Sequence, residues 1–383
     1  MFLDNASTTK VNIECMDILN EYNLNKFYNP GALYKDALNV NIRINQCRKN
    51  MLKYLGANST DNFIFTSGAT EGNNTIINTV KRFKKGKFLF SEGEHPSVYN
   101  CALALKTEGY DVEFIKLNKF GVVDLDDYAT KINQDVVFIS VMHVNNETGA
   151  INPIKTLVQM AKNINNKILF HSDGVQAFGK IPVNVSSLGV DYYTVSGHKI
   201  GAPKGIGGIY VKKDKYVKPL IIGGGQEFDL RSGTENVAGI CALEKASQLS
   251  QINLQKHYEQ ICLLNQKIKN QLKCVNDCVV ISNEFCSPYI ISFSLPGLRA
   301  ETILHMLDEE GIIVGSGSAC SSKKKNNRVL SACGFSSEII EGSLRISFSK
   351  HNLTDDFTDF KDKLIKVINL YKGNVKKWYK RQF

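Results

Sequence analysis

Phe63-Ile64-Phe65-Thr66-Ser67-Gly68-Ala69-Thr70-Glu71 passes directly from a short apolar strand into the first turn of a helix. The strand shows no polar alternation, as expected for a sheet covered on both faces. Upstream, Ala37, Val40, Ile44, Cys47, Met51 and Leu55 recur at helical spacing, and the helix they predict ends near Gly56. Downstream, similar apolar strands are expected at 87–90, 112–115, 136–141, 168–170 and 192–195, most of them separated by helical segments. This alternation predicts an α/β fold with a largely parallel sheet. After Gly223-Gly224-Gly225 the pattern changes to a long helical stretch over about 235–272, followed by strands near 279–281 and 289–293. A helix through Ala300, Ile303, Leu304 and Leu307 comes next, then a terminal helix with Thr354 as its N-cap. The expected division is a large domain over 1–225 and a smaller α+β domain over 226–383. The N-terminal segment is a candidate to pack with the smaller one.

Composition narrows the function classes. The chain is 43% hydrophobic and 22% charged, which excludes disorder over most of its 383 residues. No apolar run approaches the ~20 residues of a membrane span. Met1-Phe2-Leu3-Asp4-Asn5 lacks the basic and apolar regions of a secretion signal, so a cytoplasmic location is expected. The ten cysteines are spread from Cys15 to Cys333, and Cys274 and Cys278 have neither redox nor zinc-ribbon spacing. A reducing compartment and no metal site follow. The net charge of +10 suits a Lys-rich solvated surface. Lys323-Lys324-Lys325 and the basic tail from Lys372 stand above that background, as surfaces for an acidic protein or RNA.

Several short motifs carry chemistry. Lys199 lies in Ser196-Gly197-His198-Lys199, a Gly-bearing turn at a strand end, which is a placement suited to a Schiff-base amine. Asp173 follows another strand in His171-Ser172-Asp173-Gly174-Val175-Gln176, where a carboxylate can pair with a pyridinium nitrogen. The helix start at Ser67–Glu71 offers free N–H groups to a phosphate. Residues 201–207 lack the GxxxxGK[ST] order, so a nucleotide loop is rejected there. Cys320, in Gly-Ser-Gly-Ser-Ala-Cys-Ser-Ser before three lysines, has the setting of an exposed and reactive thiol. Taken singly, each of these residues also reads as an ordinary loop or cap residue.

Together the segments LDNASTTKV (3–11), TSGATEGNN (66–74), EHPSV (94–98), MHVNNETG (142–149), HSDGVQA (171–177), SGHKIGAPKGIGG (196–208), RSGTEN (231–236), GSACSS (317–322) and SLRIS (343–347) resemble the NifS/IscS family of cysteine desulfurases. These belong to the class-V group of pyridoxal-phosphate enzymes. The segments occur in family order and span nearly the whole chain.

The resemblance implies the fold-type-I architecture of pyridoxal-phosphate enzymes and a role at each matching position. Lys199 would hold pyridoxal 5'-phosphate covalently, Asp173 would pair with its ring nitrogen, and Gln176 would bond its phenolic oxygen. His95 would stack on the ring and move protons. Ala69, Thr70, Ser196 and His198 would bind the phosphate, and Thr234 would reach the phosphate of the other protomer in a homodimer. Asn146 would line the site, Arg345 would fork the carboxylate of L-cysteine, and Cys320 would receive the sulfur as a persulfide. An acceptor protein would then take that sulfur for iron–sulfur cluster assembly or tRNA and cofactor thiolation, with no direct membrane or nucleic-acid contact by the enzyme.

Two departures from the family pattern stand out. Asn29-Pro30-Gly31-Ala32-Leu33-Tyr34 replaces the usual NPSS-x-H segment, and a Lys-rich run follows Cys320. The alternatives are selenocysteine lyase or another class-V enzyme, and, from a different class, an inactive sulfur-carrier or RNA-binding adaptor. Intact Lys199, Asp173, His95 and Arg345 weigh against the adaptor.

Overall fold

The computed structural model describes residues 1–316 and 327–382, with side chains up to residue 373. In chain order its strands are β1 (Phe2–Leu3), β2 (Asn62–Thr66), β3 (Lys87–Ser91), β4 (Asp111–Ile115), β5 (Val136–Ser140), β6 (Leu169–Asp173), β7 (Tyr192–Ser196), β8 (Gly207–Val211), β9 (Val279–Val280), β10 (Ile290–Ser294), β11 (Ile313–Ser316) and β12 (Ser343–Ser347).

The larger sheet has the order β2-β8-β7-β6-β5-β3-β4. Strand β8 runs antiparallel to both its neighbours, and every other pairing is parallel. Strand alternation divides its side chains between two cores. Phe63 and Phe65 face one, where Val40, Ile44, Cys47 and Met51 of the helix Lys35–Tyr54 pack. Ile64 faces the other, with Ile76, Ile77 and Val80 of the helix Ala69–Val80. Covering both faces is why these strands read as unbroken apolar runs. The expected α/β sandwich is what the chain forms.

The smaller sheet has the order β1-β11-β12-β10-β9. Its first strand comes from the chain's beginning: Phe2 pairs with Ile313 and Leu3 with Val314, in parallel. The other pairings are antiparallel. A third core of Ile261, Ile291, Phe293, Ile346, Phe348 and Leu364 lies beneath it.

Three sequence expectations need correction. Strand β8, in the glycine-rich Gly205-Ile206-Gly207-Gly208 region, was not expected, because glycine disfavours strands. The glycine is needed there: a Cβ on Gly207 would lie 2.6 Å from the Val195 carbonyl and 2.8 Å from the Gly68 Cα. The stretch over 235–272 is two helices, Val237–Gln251 and Leu254–Lys273, broken where Asn253 turns left-handed at φ 60°. The terminal helix begins at Phe360, and the Thr354 hydroxyl instead bonds the His351 carbonyl in a preceding 3₁₀ turn. Cys320 and Lys323–Lys325 lie outside the described residues.

Candidate active site

In the larger sheet, strands β2, β3, β5, β6 and β7 run in the same direction, so the segments that leave their carboxyl ends share one edge. Those segments carry the motifs read from the sequence, as expected for an open α/β sheet. Asp173 is the last residue of β6, and Ser196 is the last of β7. Gly197–Lys199 form a 3₁₀ turn directly after β7. His95 follows β3 as the N-cap of the helix Pro96–Thr107.

The Lys199 ammonium donates to the carbonyls of Ala6, at 2.5 Å, and Ser7, at 2.7 Å. The amino-terminal segment therefore closes over the lysine. Gln176 donates to the same Ala6 carbonyl at 2.8 Å and accepts from Lys180 at 2.7 Å. Lys180 is buried, and desolvation, then the charges of Lys199 and Arg345, bring its pKa down to about 7. Asp173 is buried, and its two carboxylate oxygens accept from the Val175 N–H at 3.0 Å and the Asn73 amide at 2.9 Å. His95 is held below its ordinary pKa by burial; Asp173 opposes that shift, while Lys199 and Arg328 add to it. Amine, carboxylate and imidazole therefore act on one another across a single site.

The helix start expected to take a phosphate is equally specific. Ala69 and Thr70 open a twelve-residue helix whose N-cap, Gly68, supplies no side-chain cap. The first N–H groups are left for an anion. Ser196 adjoins Gly68: a Cβ on that glycine would lie 3.9 Å from the Ser196 Oγ. His198 contacts the Thr8 hydroxyl at 3.2 Å, and burial, then nearby lysines led by Lys199, lower its pKa to about 4. This set of donors and acceptors fits pyridoxal phosphate at both of its ends.

Arg345 sits in β12 with its side chain buried. It donates to Asp4 and to the Ser7 hydroxyl at 2.8 Å each, and to the Asn146 carbonyl at 2.9 Å. Its Nε has no partner among the described residues. Gly315, at the root of the segment leading to Cys320, makes this arrangement possible: a Cβ there would come within 2.5 Å of Asp4 and 2.9 Å of Arg345. The Asn146 side chain bonds Glu147 at 2.8 Å. Thr234 is exposed on the surface of its own chain.

Sequence reasoning passed over Asp4, Asn73, Ser97, Lys180 and Arg328. Each acts on a residue that was singled out, and none has a local signature of its own. Arg328 stacks on the Tyr99 ring at 3.7 Å and donates to the Glu92 and Glu94 carbonyls, fixing the turn that carries His95.

Glu94 is fully buried beside this turn and accepts from the Met142 N–H at 2.7 Å and the Ser91 hydroxyl at 3.1 Å. Desolvation, then the Asp173 charge, raises its pKa to about 8. The native state thus keeps a proton that the unfolded chain gives up near its ordinary pKa, so this group's contribution to stability falls as pH rises from about 4.5 to 8. Glu94→Gln keeps the acceptor and removes the titration. Denaturant unfolding is expected to show the native protein losing stability relative to this variant between pH 5 and 8, by up to ~1.4 kcal/mol per pH unit. Parallel stability curves for the two proteins would show that Glu94 is ionised in the folded state.

The aminotransferase class-V family pattern matches residues 1–360, and the chain belongs to that family. It is 37% identical to a cysteine desulfurase IscS of Dictyoglomus turgidum, over 96% of this chain and 94% of the relative. Among solved structures it superposes on a NifS-like protein with a TM-score of 0.91 at 31% identity, covering 97% of this chain and 99% of the other. It also matches SspA, solved in complex with cysteine, with a TM-score of 0.79 at 28% identity over 91% and 98% of the two chains.

Proposed function

We propose that this chain is a pyridoxal-phosphate-dependent cysteine desulfurase. It takes L-cysteine, releases L-alanine and leaves the sulfur on Cys320 as a persulfide for an acceptor protein. The observation that carries this reading is the meeting of Lys199, Asp173 and His95 at one sheet edge, beside a helix start with no side-chain cap. The relatives' names and the cysteine bound in SspA support the substrate.

Pyridoxal phosphate, when bound, supplies an electron sink for charge developing at the substrate's Cα. Lys199 would carry it, and the Lys199 Nζ would take the Cα proton. Asp173 would hold the ring nitrogen, Gln176 the phenolic oxygen, and Ala69, Thr70, Ser196 and His198 the phosphate. Arg345 would bind the substrate carboxylate through Nε and the Nη atoms, with Asp4 and Ser7 keeping the guanidinium in place. In the net reaction the Cβ–S bond breaks and a new S–S bond forms on Cys320. The substrate carbon is reduced to a methyl group, and the two sulfurs joined in the new S–S bond, the substrate's and that of Cys320, are oxidised together to supply the electrons. His95 would move the proton that this exchange requires.

Incubation with L-cysteine and a thiol reductant is expected to give equal amounts of alanine and sulfide. Pyruvate in place of alanine would assign an eliminating lyase instead.

The site is completed by a second copy of the chain. Thr234 is exposed, and so are the apolar side chains of Leu24, Phe27, Leu33, Leu38 and Ile42, which suit burial against a partner protomer. Mixing Lys199→Ala and Thr234→Val protomers should restore up to about a quarter of native activity. The estimate assumes random pairing with one wholly native site in each hybrid. A strictly monomeric protein in sedimentation, or no recovery from mixed dimers, would refute the shared site. Among the described residues no helix is long and apolar enough to cross a membrane. A cytoplasmic enzyme handing sulfur to an iron–sulfur scaffold or a tRNA-thiolation enzyme is the setting that fits this chemistry.

A further inference from the structure

Asn73 and Ser97 connect the two ends of the site in a way that fixes their protons. Asn73 is fully buried in the helix Ala69–Val80, and its Nδ2 lies 2.9 Å from the Asp173 carboxylate and 2.8 Å from the Ser97 hydroxyl. A carboxylate accepts but does not donate, so the amide must turn its NH₂ toward Asp173. The second amide hydrogen then occupies a lone pair of the Ser97 oxygen. The Ser97 hydroxyl is left to donate, and the His95 Nδ1 is 2.8 Å away. The Ser97 backbone N–H points at the same Nδ1 from 3.2 Å. A ring nitrogen that receives a backbone N–H carries no hydrogen of its own.

From these contacts, and resting on the reading of His95 as the proton-moving group, we infer that Asn73 and Ser97 are positioning residues that hold His95 as the neutral Nε2–H tautomer. The imidazole therefore meets the substrate as a proton donor. Asp173 sets the direction of the relay, so the carboxylate assigned to the cofactor nitrogen and the imidazole assigned to the substrate are arranged by one chain of hydrogen bonds. Two donors aimed at Nδ1 also oppose protonation there, in the same sense as burial of the ring. The charged and titratable groups facing His95 are Asp173, Lys199, Arg328 and His198. Asp173 favours the imidazolium, and Lys199 and Arg328 disfavour it.

The test is long-range ¹⁵N–¹H correlation on cofactor-loaded enzyme labelled at histidine, with His95 assigned by the signals missing from His95→Gln. The expected spectrum has a pyrrole-type nitrogen at Nε2 and a pyridine-type nitrogen at Nδ1, unchanged through neutral pH. Ser97→Ala removes the shorter of the two contacts to Nδ1 and leaves only the backbone N–H at 3.2 Å, so the tautomer preference should weaken and the ring's titration move to higher pH. Its kcat should fall about 10- to 100-fold with KM little changed, and Ser97→Thr should restore both spectrum and rate. Asn73→Ala should reproduce the Ser97→Ala spectrum, with little further change in the double variant. A pyridine-type signal at Nε2 of the native enzyme, or a Ser97→Ala spectrum superimposable on the native one, would overturn the inference. Neither result depends on turnover, so the desulfurase reading stands or falls separately on the alanine assay.

Discussion

Lys199→Ala should leave a folded protein that no longer binds its cofactor covalently and that forms alanine at least ~10²- to 10⁴-fold more slowly, the range attributed to a positioned acid–base group. The size of the loss follows from the lysine carrying two roles on one nitrogen, as attachment point and as proton acceptor. The Ala6 and Ser7 carbonyls fix that nitrogen. Lys180, another lysine of the site, is tied to Gln176. Borohydride treatment of the native enzyme followed by peptide mapping should place the cofactor on Lys199. A label on Lys180, or on any other lysine, would overturn the assignment.

Cys320→Ser is expected to separate colour from sulfur transfer. The assigned cofactor-binding residues, including Lys199, Asp173 and the helix start at Ala69, remain intact, so the absorption of bound cofactor should persist. Transferable sulfur should be abolished, because a hydroxyl does not form a persulfide. Mass spectrometry of cysteine-loaded enzyme, before and after cyanide treatment, should locate one cyanide-labile sulfur on the peptide containing Cys320. The buried thiols make poor substitutes: burial raises the pKa of Cys333 to about 12, and Cys286 is also shifted upward. Sulfur found on Cys101, Cys286 or Cys333, or transfer by Cys320→Ser at the native rate, would refute the assignment.

Legibility in the sequence followed the range of the signal. The strands at 63–65, 87–90 and 192–195 were readable because burial on both faces removes polar residues over a continuous stretch. Lys199 and Asp173 were readable because a strand end and a turn motif lie next to each other in the chain. Strand β8 was hidden by the glycines that close packing against Gly68 demands. The break at Asn253 was hidden because helical periodicity continues on either side of it. Asn73 and Ser97 stood inside the segments TSGATEGNN and EHPSV without a role, and Lys180 lay outside every such segment, since their meaning lies in partners across the fold. Asn73 meets Asp173 one hundred positions away, a relation that no window along the chain contains.

The strand Phe2–Leu3 also bears on how the protein is made. Its partners, Ile313 and Val314, are synthesised only after every strand of the larger sheet. Arg345, which receives Asp4, comes later still. At ribosomal rates of about 5–20 residues per second, the first strand waits on the order of 15–60 s for its neighbour. Over roughly the last third of that interval the larger sheet has all its strands, while Ala6 and Ser7, which must close over Lys199, remain unanchored by β11 and β12. Completion of the catalytic pocket therefore waits on β11 and β12, and cofactor capture is expected only after Arg345 has been synthesised.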